Sequence, residues 1–155
     1  GGVIYDPMGQ DFAIAVRGEG AWFERLDGQR RDMRVADPAP VGEMTGGASW
    51  NTLHEPMRST LIHNLPKVAT CFSYRCAAHE YRLVASGKCH FLVYHKLMPW
   101  DHAAGWLLHQ EAGGYSARFD GSPYRATTHE GGILVAPDKA SWQALHSALL
   151  ERHHP

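Results

Sequence analysis

Two short stretches hold the residues best suited to chemistry. One is Trp100-Asp101, an acid at the head of a predicted helix. The other is Tyr74-Arg75-Cys76-Ala77-Ala78, just ahead of a second predicted helix. Each follows a predicted strand, residues 67–73 in one case and 89–94 in the other. In open α/β sheets, ligands bind beyond the carboxyl ends of the strands, where helix N-termini point inward. Two such N-termini side by side offer free backbone N–H groups to an anion. The small side chains after Arg75 would let that anion approach the backbone. Asp101 would add a carboxylate beside it, which is tolerable only with a cation in between. Asp101 is therefore a candidate Mg²⁺ ligand in phosphate chemistry. The plainer reading, an aspartate that only caps its helix, stays open on spacing alone.

Other constellations are weaker. The chain has eleven histidines and three cysteines. Cys71, Cys76 and His79 are close in sequence, but no fourth ligand has zinc spacing, so core thiols account for them better. His79-Glu80 lacks the second histidine of a zincin helix. His102 and His109 are expected on the polar face of their helix. Cys76 at a helix N-terminus would gain thiolate character, yet no base partner can be named.

The elements that must position these residues can be read in order. Residues 3–5, 11–17 and 21–25 are predicted strands, and Asp27-Gly28 turns the chain into a return strand at 31–35. Gly18 and Gly20 mark a bulge or a close backbone approach. Asp37-Pro38-Ala39-Pro40 is a stiff boundary. Beyond it strands at 44–50, 67–73, 89–94, 115–119 and 132–136 alternate with helices at 55–64, 77–86, from Asp101 to Gly113-Gly114, and after Asp138. This predicts a layered α/β domain with helices covering a parallel or mixed sheet. Trp100, Ala104, Leu107, Leu108 and Glu111 fall near one helix face, where the apolar members can pack. Trp22, Trp50, Trp106 and Trp142 read as core or interface area. The tail, Arg152-His153-His154-Pro155, is expected to fray.

Composition narrows the function classes. A 155-residue chain that is 44% hydrophobic can build a real core, and a net charge of -1 gives no argument for nucleic acid or a membrane surface. No apolar run approaches the ~20 residues of a membrane span. The odd cysteine count without paired spacing favours free thiols in a reducing, cytoplasmic setting. The chain opens directly on a predicted strand, Gly1-Gly2-Val3-Ile4-Tyr5, so we expect it to be the later part of a longer protein.

The run from Trp100 to Gly114 resembles the C-terminal signature of the inositol monophosphatase family: Trp-Asp, small residues, an aliphatic pair, then Glu-Ala-Gly-Gly. Gly2 to Pro7, Ala15 to Ala21 and Asp27-Gly28 resemble its mid-chain hairpins. Cys76-Ala77-Ala78 through Gly87 resembles its substrate-loop helix. Asp120 to Tyr124 and Gly131 to Leu134 resemble its closing strands. The resemblance implies an α/β chain forming the C-terminal part of a layered αβαβα sugar-phosphatase fold. A short antiparallel meander at 1–36 would belong to the N-terminal sheet, and a mixed sheet covered by helices would fill 41–152. It implies a Mg²⁺-dependent, Li⁺-sensitive phosphomonoesterase acting on a small phosphorylated metabolite, and a homo-oligomer. Asp101 matches the metal-ligand aspartate of the C-terminal half. Arg75, Cys76 and Ala77 match the segment that contacts substrate. Tyr94 matches a position where inositol-cleaving members carry a glutamate that binds a sugar hydroxyl.

The departures from the family pattern are specific. Arg75 and Cys76 stand where Gly and Thr or Ser are usual. Arg75 could pair with phosphate or fold outward. Tyr94 cannot replace a carboxylate as an acceptor of several hydroxyls. The family's Gly-Asp-Glu and Asp-Pro-Ile-Asp-Gly metal segments are absent, and two-metal hydrolysis needs several carboxylates. The resemblance thus implies a chain inactive alone. A non-catalytic module acting by binding or oligomerisation is the alternative.

Overall fold

A computed structural model describes residues 1–152; Gly1 to Arg152 form two sheets and four helices. Of the tail expected to fray, residues 153–155 lie outside that range. The chain opens with an antiparallel meander in the order β1-β2-β3-β4, formed by Gly2–Asp6, Asp11–Val16, Gly20–Arg25 and Arg30–Asp32. Its return strand is shorter than expected. The Met33 amide still donates to the Ala21 carbonyl of β3 at 2.8 Å; beyond it the chain follows α3 (Pro99–Glu111), and the Val35 amide donates to the Ala112 carbonyl at 3.1 Å.

The second sheet is mixed, in the order β6-β5-β7-β9-β8. These strands are Thr45–Ala48 (β5), Thr70–Phe72 (β6), Phe91–Tyr94 (β7), Tyr115–Arg118 (β8) and Ile133–Ala136 (β9). β5 is parallel to β6 and β7, whereas β9 is antiparallel to β7 and β8. Every residue of β7 and β9 is buried. That explains their unbroken apolar runs, since both faces of the sheet are covered. Two predicted strands are shorter than expected: Leu65–Lys67 forms a 3-10 turn ahead of β6, and Trp50–Thr52 forms another after β5.

Four layers result. Helices α1 (Met57–Asn64) and α4 (Lys139–Leu150) pack on one face of the mixed sheet through Leu61, Phe91, Leu134, Trp142, Leu145 and Leu149. Helices α2 (Ala77–Ala85) and α3 cover the other face through Tyr81, Val84, Leu92, Tyr94 and Ile133. The same two helices carry the meander on their far side, where Ala13, Ala15 and Ala21 meet Ala85, Leu107 and Leu108. Polar ties reinforce that layer. The Glu111 carboxylate accepts from the Gly18 and Gly20 amides at 3.0 and 3.1 Å. Arg82 reaches Asp11 at 2.5 Å and Asp6 at 3.7 Å. Asp138 caps α4 as expected, accepting from the Ser141 amide at 2.7 Å.

Helix α3 differs from expectation in four respects. It starts at Pro99 with Met98 as the N-cap residue, so Asp101 lies inside the first turn and does not cap it. Proline is suited to the first helical position because its missing N–H needs no partner there. Trp100 is 76% exposed and does not pack with Leu107 and Leu108. His102 and His109 are both buried, not on a polar face. The left-handed stop falls on Gly113 alone, at φ 93°. Gly114 serves a different purpose, leaving room for the His109 ring.

Candidate active site

The parallel strands β5, β6 and β7 end on one side of the mixed sheet, and the segments that follow them meet there. The turn after β5 brings Ser49, Asn51 and Thr52. The loop after β6 brings Ser73, Arg75 and Cys76. The end of β7 and its loop bring Tyr94, His95 and Lys96. The first turns of α2 and α3 complete a cleft of about 260 Å³ with Ala77, Glu80, Asp101 and His102. All five residues singled out in the sequence, Arg75, Cys76, Ala77, Tyr94 and Asp101, line this one cleft.

Local backbone explains why they converge. Cys76 is the N-cap residue of α2 in extended conformation, with no side-chain cap bond. Its carbonyl accepts the Glu80 amide at 3.0 Å. The amides of Ala77, Ala78 and His79 precede that bond and have no intrahelical acceptor. Arg75 turns the chain into this geometry with a left-handed φ of 55°. A glycine would take that conformation without cost. Both Arg75 and Lys96 are exposed cations at the rim.

Beneath the rim lies a buried polar network. Tyr94 is 5% exposed, and its hydroxyl donates to the Glu80 carboxylate. Its ring stacks with Tyr81 at 5.6 Å and meets His102 edge-on at 4.7 Å. The Tyr81 hydroxyl and His102 Nδ1 are 3.2 Å apart. Burial, reinforced by Tyr81 and Glu80, raises the Tyr94 pKa strongly and holds the phenol neutral. Burial also lowers the His102 pKa, with Asp101 opposing. Burial pushes the half-buried Cys71 thiol up to about 11 and the buried Cys89 thiol up to about 12, which disfavours the thiolate at both. Cys76 is the exposed one of the three.

The sequence does not assign Glu80, His95, Lys96 and His102 to this site; Glu80 enters there only as part of a zincin pair, and His102 is expected on a polar helix face. Glu80 stands one helical turn beyond Cys76, so its position facing the cleft follows once the α2 start is fixed. Lys96 and His95 sit on an irregular loop that carries no sequence signal.

Asp101 offers the hard oxygen donor that Mg²⁺ prefers. Both oxygens of Glu80 already accept hydrogen bonds. Among the described residues, no three His, Cys, Asp or Glu side chains are grouped to hold a metal ion. These residues thus fit one ligand of a cation site and do not by themselves make a resident metal centre.

An α/β chain with two helix N-termini and an aspartate around one cleft, at the carboxyl ends of parallel strands, has the architecture of a layered sugar-phosphatase. The chain belongs to the inositol monophosphatase family, whose profile matches residues 1–154. It is 34% identical over 138 residues to the Nus factor SuhB of Pasteurella multocida, an alignment covering 87% of this chain and 49% of the relative. It is 30% identical over 124 residues to the inositol-1-monophosphatase of Bacillus subtilis, covering 79% of this chain and 46% of the relative. The chain thus spans about half the length of the curated relatives it matches. Inositol monophosphatase-II of Staphylococcus aureus superposes with a TM-score of 0.82 at 24% identity, covering 98% of this chain and 55% of that one, a likeness of fold. The suhB protein of Bartonella henselae superposes at 0.80 with 26% identity, covering 97% and 56%. Among the described residues, no helix is long and apolar enough to cross a membrane.

Proposed function

We propose that this chain carries the substrate-anchoring half of a Mg²⁺-dependent phosphomonoesterase acting on a small phosphorylated metabolite such as a polyol or sugar phosphate. The observation that carries the reading is the shared cleft of Asp101 and the α2 N-terminus. First-turn amides of α2 receive the phosphate oxygens. Arg75 adds a charge-assisted contact from the rim. Asp101 supplies one ligand to Mg²⁺, and carboxylates that this chain does not supply complete the set. When bound, Mg²⁺ neutralises phosphate charge and lowers the pKa of water. Tyr94, whose hydroxyl is committed to Glu80, is less suited than a carboxylate to gripping several hydroxyls, so substrates other than inositol phosphate are favoured.

Calorimetry with inorganic phosphate tests this reading. Mg²⁺ should strengthen phosphate binding to the chain, and Asp101→Asn should abolish the Mg²⁺ effect. Any phosphomonoesterase activity of a longer protein carrying this chain should fall with the same substitution. Full activity in Asp101→Asn would refute the assignment.

A second reading, a non-catalytic binding module, draws on the lack, among the described residues, of three grouped metal-ligating side chains and on relatives named as a Nus factor. It predicts phosphate binding that is indifferent to Mg²⁺.

A further inference from the structure

Glu80 is an acid with 1% exposure, in the first turn of α2. Among the described residues it has no ion-pair partner. Burying a carboxylate without a cation is costly, and an apolar side chain of similar size would often be as stable or more so. Its two oxygens are nevertheless both engaged. Oε1 accepts the Tyr74 backbone amide at 2.8 Å, and Oε2 accepts the Tyr94 hydroxyl. The first contact fixes the loop one residue before the left-handed Arg75. The second fixes the end of β7. Through the Tyr94 ring the same carboxylate bears on His102, the neighbour of Asp101 in α3. One side chain of α2 therefore ties together three of the other segments that surround the cleft.

We propose that Glu80 is the positioning residue of the anion-binding loop: by holding the Tyr74 amide and the Tyr94 hydroxyl together, it sets the path of residues 73–77. The direction in which the first α2 amides point follows from that path. The inference rests on the phosphate reading for its consequence, but its mechanism is visible without ligand. A glutamine at this position keeps both contacts, because its carbonyl still accepts the Tyr74 amide and its NH₂ can donate to the Tyr94 oxygen. An alanine keeps neither.

The test compares the 155-residue chain with Glu80→Ala, Glu80→Gln, Glu80→Met and Tyr94→Phe, using residue-resolved amide hydrogen exchange without ligand and calorimetric titration with inorganic phosphate. In Glu80→Ala the Tyr74 amide should exchange at least about tenfold faster, while α4 and β9 keep their protection. Phosphate affinity should fall about tenfold. Glu80→Gln should recover most of both, which a charge requirement would not produce. Glu80→Met, which fills similar space without either contact, should behave like the alanine variant, which a packing role would not produce. Tyr94→Phe, which removes one contact and preserves the ring, should fall in between and serves if the alanine variant does not fold. Unchanged exchange at Tyr74 in Glu80→Ala and Tyr94→Phe, or faster exchange with phosphate affinity intact, would overturn the proposal. If the unaltered chain binds no phosphate, the functional reading fails, and the exchange data still decide whether Glu80 sets the loop.

Discussion

Gly105 of α3 lies flat against Tyr81 of α2: a Cβ at Gly105 would stand 2.2 Å from the Tyr81 Cγ. The crossing of the two helices depends on that absence. Tyr81 in turn stacks on Tyr94 and meets His102, so helix packing and cleft geometry are one problem. Gly105→Ala would gain helix propensity, about 1 kcal/mol, yet it would have to push away the tyrosine near its own Cβ. We expect a net loss of about 2 kcal/mol, read as a lower urea midpoint with an unchanged slope. A midpoint at or above that of the unaltered chain would show that α2 and α3 can separate freely.

Arg75 should show stability and binding pulling apart. A non-glycine residue in the left-handed region costs about 1 kcal/mol. Arg75→Gly should therefore stabilise the fold by roughly that amount while weakening phosphate binding about tenfold, the worth of one charged hydrogen bond. Thermal melts and phosphate titration of the same variant check both halves. An arginine that folds outward would give the first effect without the second.

His109 sets a pH dependence of stability. Its ring is fully buried, and among the described residues neither nitrogen makes a hydrogen bond of good geometry. Burial lowers its pKa from 6.5 to about 4, opposed in part by the Ala136 backbone. The unfolded chain thus takes up a proton near pH 6.5 that the folded chain refuses until about pH 4. Stability is full above pH 6.5 and falls as pH drops through this window, by up to about 3 kcal/mol. The Asp6 and Asp120 carboxylates are held below their usual pKa of 3.8, Asp6 first by the Gly9 amide and Asp120 first by the Ser122 side chain, so their contributions are lost only at lower pH. Denaturation from pH 7 to pH 4 should show the slope, and His109→Leu should flatten it.

The meander should drive self-association. β1 and β4 are its edge strands, and Val3 and Tyr5 on β1 are exposed apolar residues. An open edge of this kind invites pairing with another chain. Sedimentation should find dimers or larger species, and Val3→Lys should shift them toward monomer. A monomer at all concentrations would contradict this expectation.

Long-range order was legible in the sequence where local signals were strong. The Asp27-Gly28 turn, the Asp138 cap and the unbroken apolar runs of β7 and β9 each reported their own structure. The errors fall where tertiary packing overrode local pattern. Trp100 sits at a helical spacing that suits packing, but the turn before α3 leaves it in solvent. His102 and His109 are polar by type, yet Tyr81 and the glycine at 114 make pockets for them. The cleft residues were legible through helix starts, since a helix N-terminus after a parallel strand has one place to point. Glu80 was missed because its role depends on Tyr94, fourteen residues away in sequence, and no local pattern records that contact.

The most direct test of the central claim, that Asp101 and the α2 N-terminus form one cation-and-phosphate site, is paramagnetic broadening by Mn²⁺ in the presence of inorganic phosphate. The account predicts broadening centred on the amides of Cys76, Ala77, Asp101 and His102, absent in Asp101→Asn. Broadening centred elsewhere, or unchanged in Asp101→Asn, would contradict it.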